Sequence, residues 1–168
     1  MDDKLKNATL RLLNYIEQEN YSGFDPYDGL KSPFFKLPFL KTNKLIRLYA
    51  QQAVKRSRLN LRPFLFIKKG YNPVTLGLCV QAYSYLLKVF PEREIEFKKK
   101  IDLLIGQLQK LQSKKFSGAS WGYDFDWEAR YAKIPGYEPT VVATGIITNA
   151  LFECYCITGN ETALSLCK

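Results

Sequence analysis

The sequence predicts an all-α fold of stacked helical hairpins. Three observations carry this expectation. Apolar residues recur at three- and four-residue spacing along most of the chain. No stretch of useful length alternates apolar and polar residues, as a half-buried strand does. The pattern Gly70-Tyr71-Asn72-Pro73 returns as Gly136-Tyr137-Glu138-Pro139, 66 residues later, and both lead into apolar segments. One period then contains one buried and one amphipathic helix, the alternation that stacked hairpins require. The helices of a four-helix bundle would all be similarly amphipathic. At 168 residues and 46% hydrophobic composition, the chain reads as a single unit over 1–168.

A first helix is expected over 3–19, with Leu5, Ala8, Leu12, Leu13 and Ile16 at helical spacing. A turn-rich stretch follows at 21–29, and Pro33 and Pro38 restrict 33–40 to short turns. A second helix is expected over 42–58 with Thr42 as N-cap, apolar on one side and basic on the other. The third runs from Pro73 to about residue 90 and has no charge between Val74 and Leu87, which predicts burial on most sides. A fourth, over 91–113, places Phe97, Ile101, Leu104, Ile105, Leu108 and Leu111 on one stripe against a lysine-rich face. The fifth, over 139–157, is again nearly uncharged, with Glu153 the exception. A sixth begins at about Glu161.

Histidine is absent, which excludes Ser-His-Asp and Cys-His triads and every imidazole metal site. Cys79, Cys154, Cys156 and Cys167 fit reduced, mostly buried thiols better than a zinc site. Neither a metal nor a cofactor is expected. The N-terminus lacks a signal-peptide pattern, and no apolar window free of charge and turn residues reaches the ~18 residues of a membrane span. No membrane span and a cytoplasmic location are the resulting expectations.

The net charge of +9 is unevenly spread. The block 29–91 contains twelve Lys and Arg residues and no Asp or Glu. Such a block suits an anionic partner, or is simply a solvated basic face. No nucleic-acid-binding motif accompanies it, so nucleic acid is the weakest of the expected partners.

The longest non-helical segment, 114–137, holds Trp121-Gly-Tyr-Asp-Phe-Asp-Trp-Glu-Ala-Arg130, including both tryptophans. Loops of this length in a compact domain are usually functional. Trp121, Tyr123 and Trp127 offer aromatic faces to the C–H faces of sugars, and Arg130 suits hydroxyls or charged substituents. Asp124 and Asp126 are candidate catalytic carboxylates, since paired carboxylates serve as acid and base in glycosidic chemistry. The loop around Asp25, Tyr27 and Asp28 has the same character. Asp28 is a third candidate catalytic acid, and Asp25 and Tyr27 are candidate binding residues. Turn formation alone also accounts for Asp25-Pro26 and Asp28-Gly29. Should the first helix be a buried one, its exit loop would lie at the mouth opposite the loop 114–137. A short extra helix within 33–40 would then be needed to bring the two together.

Phe24-Asp-Pro-Tyr-Asp-Gly-Leu-Lys-Ser-Pro33, Arg62-Pro63 with Lys68-Lys-Gly-Tyr-Asn-Pro73, Trp121-Gly-Tyr-Asp-Phe-Asp-Trp127 and Pro139-Thr-Val-Val-Ala-Thr144 occur in that order. Together they resemble bacterial α/α-toroid proteins associated with capsule or O-antigen polysaccharide gene clusters, which are similar to six-hairpin glycosidases. The resemblance implies part of an α/α toroid and a role toward carbohydrate, with an anionic sugar or polysaccharide precursor as partner. A full ring of twelve helices needs roughly 250–300 residues. The expectation is therefore a partial, N-terminal copy whose open flank supports homo-oligomer formation. A non-catalytic helical interaction module, or a remnant of a longer enzyme, is the alternative.

Overall fold

The structure is a computed structural model that describes residues 2–168. Seven α-helices and one two-stranded ribbon are present among them. Helix α1 spans Asp3–Gln18, and the Asp2 carboxylate caps it by accepting from the Lys4 amide at 3.2 Å. Single 3₁₀ turns follow at Asp28–Lys31 and Pro33–Lys36. A short helix α2, Pro38–Thr42, precedes α3, Lys44–Arg56. Asn43, rather than Thr42, is the α3 N-cap and accepts from the Ile46 amide at 3.0 Å. Thr42 is instead the last residue of α2, where its hydroxyl donates back to the Pro38 carbonyl.

Helix α4, Pro73–Val89, starts on a proline with Asn72 as cap. A 3₁₀ turn at Pro91–Arg93 leads directly into α5, Glu94–Leu111. Helix α6 is Val141–Thr158, capped by the Thr140 hydroxyl. Its start falls two residues beyond Pro139. Gly159 ends it in a left-handed conformation (φ 68°), and α7, Glu161–Ser165, completes the chain. The all-α expectation holds apart from the ribbon, β1 Trp127–Glu128 with β2 Lys133–Ile134, which is too short to show as a sequence pattern.

Helices α4 and α6 run side by side in the same direction. Gly77 lies against Ile147, and one turn or two further along Gln81 and Tyr85 both donate to Glu153. A methyl group at position 77 would stand 3.1 Å from Ile147 Cγ1, so the glycine permits the close approach. Helix α1 runs opposite to α4. The Lys6 ammonium sits 5.1 Å over the Phe90 ring, at the far end of α4, whereas Asn20 donates to the Tyr71 hydroxyl just before α4 begins. Glu17 of α1 pairs with Lys100 of α5 at 3.1 Å, and Asn160 at the start of α7 donates to Asp102 of α5. Helices α1, α5 and α7 thus form one layer over the α4–α6 pair. Between the layers lie Leu76, Val80 and Tyr83 of α4, Phe97, Ile101, Leu104 and Leu108 of α5, and Ile147 and Leu151 of α6.

The uncharged helices are not buried on most sides. Leu78 and Tyr85 of α4, and Val142, Ile146 and Phe152 of α6, are exposed, and Val141 is 91% exposed. Leu78, Gln81 and Tyr85 share one strip of α4. Ile146, Asn149 and Glu153 share one strip of α6, and the hydrogen bonds to Glu153 place the two strips on the same side. Helix α6 is also 18 residues long with mean hydropathy 1.5, enough by length and composition to cross a membrane. Glu153, Asn149 and Gly145 interrupt its apolar run, and a core helix of a compact domain passes the same test of length and composition. Its Ala143, Ile147, Ala150, Leu151 and Cys154 lie in the protein core.

Candidate functional site

The direction of α1 settles where the acidic loops meet. Because α1 is antiparallel to α4, its exit loop emerges at the end where α4 and α6 begin, and no extra helix is needed. Gly23 and Gly70 then exchange two backbone hydrogen bonds, of 3.0 and 2.9 Å, which tie the loop to the start of α4. Gly70 has a further requirement, because a Cβ there would collide with Asp124 Oδ2 and Lys31 Nζ. The Lys31–Asp124 ion pair, 2.7 Å long, passes directly over it.

The loop 114–137 is held down by Trp121. Its indole is fully buried (0% exposed), and Nε1 donates to the Leu108 carbonyl at 2.8 Å. Its backbone amide donates to the Thr144 hydroxyl, and its carbonyl accepts from Thr140. This corrects the assignment of Trp121 as a stacking residue, since no face is available to a ligand. Trp127, by contrast, is 39% exposed. On the ribbon Trp127 pairs with Ile134 and Glu128 with Lys133, so successive residues face opposite sides.

Trp127 and Ile134 form one wall of a cleft of about 460 Å³. The other walls come from Tyr27, Tyr123, Phe125 and Val142, with Asp25 at the edge. Tyr123 and Phe125 stack at 5.5 Å and 25°. Lys55 lies 4.1 Å over the Tyr27 ring and donates to its hydroxyl. Both loops therefore contribute to one cleft. Phe125, Ile134 and Val142 were not singled out from the sequence, because nothing local marks an apolar residue as cleft rather than core.

Of the candidate catalytic carboxylates, none stands free. Asp28 is 1% exposed, and Arg62 Nε donates to both of its oxygens at 3.0 and 2.9 Å. Asp124 is paired with Lys31 and borders a smaller cavity of about 160 Å³ beside Tyr15, Glu19 and Asn72. Asp126 accepts from Arg47 at 3.0 Å and from the Gly136 amide at 2.9 Å. Glu128, buried and not foreseen as part of the site, accepts from Arg47 Nε at 2.8 Å. Burial opposes the Arg47 charge, but hydrogen bonds to Glu128 and Asp126 more than offset this and raise its pKa. Arg130 lies at the ribbon turn with its guanidinium 5.4 Å from the Tyr131 ring, and it does not line the cleft.

Among the described residues the Asp25 carboxylate has no ion pair. It accepts from the Tyr27 amide at 2.9 Å and from Asn72 at 3.2 Å, and it borders both cavities. Burial raises its pKa above the ordinary aspartate value. The Tyr27 and Asn72 hydrogen bonds oppose this, and the nearby Asp124 and Asp28 charges add to it. The described residues contain no cluster of three or more metal-ligating side chains. No family model, curated protein or solved structure matches the chain.

Proposed function

We propose that this chain is part of an α/α-toroid-type protein that binds carbohydrate for surface-polysaccharide production, with the aromatic cleft as its site. One observation carries the reading. Four rings, Tyr27, Tyr123, Phe125 and Trp127, converge on a groove whose edge holds a single carboxyl without a cation. Rings offer flat apolar contact to the C–H faces of a pyranose, and Asp25 offers a polar anchor for a hydroxyl. The parallel α4–α6 pair under a second helical layer supports the hairpin architecture. Acid–base cleavage of a glycosidic bond needs two carboxyl groups. Asp25 is the one acid lining the cleft among the described residues, so binding fits better than hydrolysis.

A glycan array followed by calorimetry tests this. Acidic oligosaccharides are expected to bind wild-type protein, and Trp127→Ala and Tyr27→Ala each to weaken binding about tenfold or more. Absence of binding, or indifference to both changes, removes the assignment.

The exposed strip of Leu78, Tyr85, Val142 and Ile146 favours a second reading, a helical module that associates through this face. Size-exclusion chromatography with light scattering separates the two. A defined dimer that Ile146→Lys dissociates supports association, and a monomer at high concentration counts against it.

A further inference from the structure

The ribbon has a second face. Trp127 and Ile134 point into the aromatic cleft, so Glu128 and Lys133 must point away from it. On that side lies a separate pocket of about 370 Å³, lined by Lys41, Lys44, Arg47, Glu128, Tyr131 and Lys133 among others. Its floor has no free cation, because the one buried Arg47 is bonded to two carboxylates, Glu128 and Asp126, which leaves one net negative charge. Its walls are cationic. Among the described residues, Lys41, Lys44 and Lys133 have no carboxylate partner, and Glu128 is the one acid lining the pocket. Lys44 donates to the Arg130 carbonyl at 2.6 Å, which holds the ribbon turn beside α3 and leaves its remaining N–H donors free.

We propose that this pocket binds a phosphate or diphosphate group, as the anionic subsite of the carbohydrate ligand held on the other face of the ribbon. The link to a sugar rests on the function proposed above; the phosphate site itself does not. Three ammonium groups over a floor of one net negative charge leave two positive charges, which a single carboxylate would not neutralise and a phosphate or diphosphate would. The one guanidinium fork is taken up by Glu128 and Asp126, so planar carboxylate recognition has no free arginine here. Lysines act as point charges and suit phosphate oxygens in any orientation. Four of the twelve cations in the block 29–91, Lys31, Arg47, Arg62 and Lys69, are ion-paired within the fold. Lys41 and Lys44 belong to the remainder that is free to meet an outside anion.

Titration of ¹⁵N-labelled protein with inorganic pyrophosphate at low ionic strength tests the site. Amides of residues 41–44 and 130–133 are expected to shift, and the double variant Lys41→Gln/Lys133→Gln to loosen binding roughly tenfold. The control Lys99→Gln/Lys110→Gln removes equal charge from the exposed face of α5 and is expected to stay within about twofold of wild type. Equal loosening in both doubles, or no shift at 130–133, overturns the proposal. Two further arms use a nucleoside diphosphate sugar and a neutral disaccharide. The diphosphate sugar is expected to bind more tightly than pyrophosphate and to shift Trp127 as well. Pyrophosphate binding without any sugar response at Trp127 would leave the phosphate site standing and remove the carbohydrate reading. A sugar response without pyrophosphate binding would do the reverse.

Discussion

In the loop around Asp25 and Asp28, one carboxylate has a cation and the other does not. In the loop from Trp121 to Arg130, all three carboxylates have one. As strings of aspartates, tyrosines and glycines the two stretches look alike. Their difference lies in partners 34 to 93 residues away: Arg62 for Asp28, Arg47 for Asp126 and Glu128, and Lys31 for Asp124. Carboxylates that close an ion pair in the interior build the mouth of the fold. The carboxylate left without a cation is the one with chemistry to spare. The same division runs through the tryptophans, of which Trp121 anchors and Trp127 lines.

The largest effects are expected where the anchoring half is broken. Arg47→Ala leaves Glu128 buried and uncompensated, which costs about 3–5 kcal/mol by urea unfolding. Trp121→Ala leaves a cavity between α5 and α6 at a similar cost of about 3–5 kcal/mol. If either were as mild as a surface change, the division into anchors and lining would fail. An intermediate effect is expected for Gly70→Ala, about 1–3 kcal/mol, because the new methyl displaces the Lys31–Asp124 pair. Trp127→Ala, on the lining side, should change stability by less than ~1 kcal/mol while weakening ligand binding.

A smaller, pH-dependent effect sharpens the contrast further. The pKa of Asp25 is raised in the folded state, so the protonated form is favoured there. The stability it contributes is fully present below its unfolded value of 3.8 and is lost as pH rises through the folded value. Asp25→Asn removes this dependence. The stability of wild type relative to the variant should therefore be greatest at pH 3 and decline toward pH 7, read from urea midpoints. A difference growing in the opposite direction would mean that the Arg62 guanidinium, which donates to the Asp25 backbone carbonyl at 2.8 Å, also stabilises the Asp25 carboxylate.

Much of the helical layout could be read from the residues, because capping and apolar spacing are local. Pro73 and the 97–111 stripe gave α4 and α5 to within a few residues. Thr42 and Asn43 are both good N-cap residues, and only the end of α2 decides between them. The exposure of one side of α4 and α6 was hidden for a different reason. An uncharged helix looks buried, and composition does not report whether a neighbour is present. At the site, the two acidic loops and the aromatic character of the cleft were recognisable. The roles were not, because alternation along the chain assigns residues to faces only once the ribbon's register is known. Trp121 and Trp127 differ in nothing but their surroundings. The basic block likewise concealed that Lys31, Arg47 and Arg62 serve the acidic loops.

The two tryptophans supply the most direct measurement. Each indole N–H gives its own proton–nitrogen resonance, and Trp121→Phe and Trp127→Phe assign them. On titration with an oligouronate, the Trp127 resonance is expected to move while that of Trp121, buried and bonded to Leu108, stays in place. Movement of Trp121 with Trp127 stationary, or no movement of either at saturating oligouronate, would contradict a ligand site on the aromatic face of the ribbon.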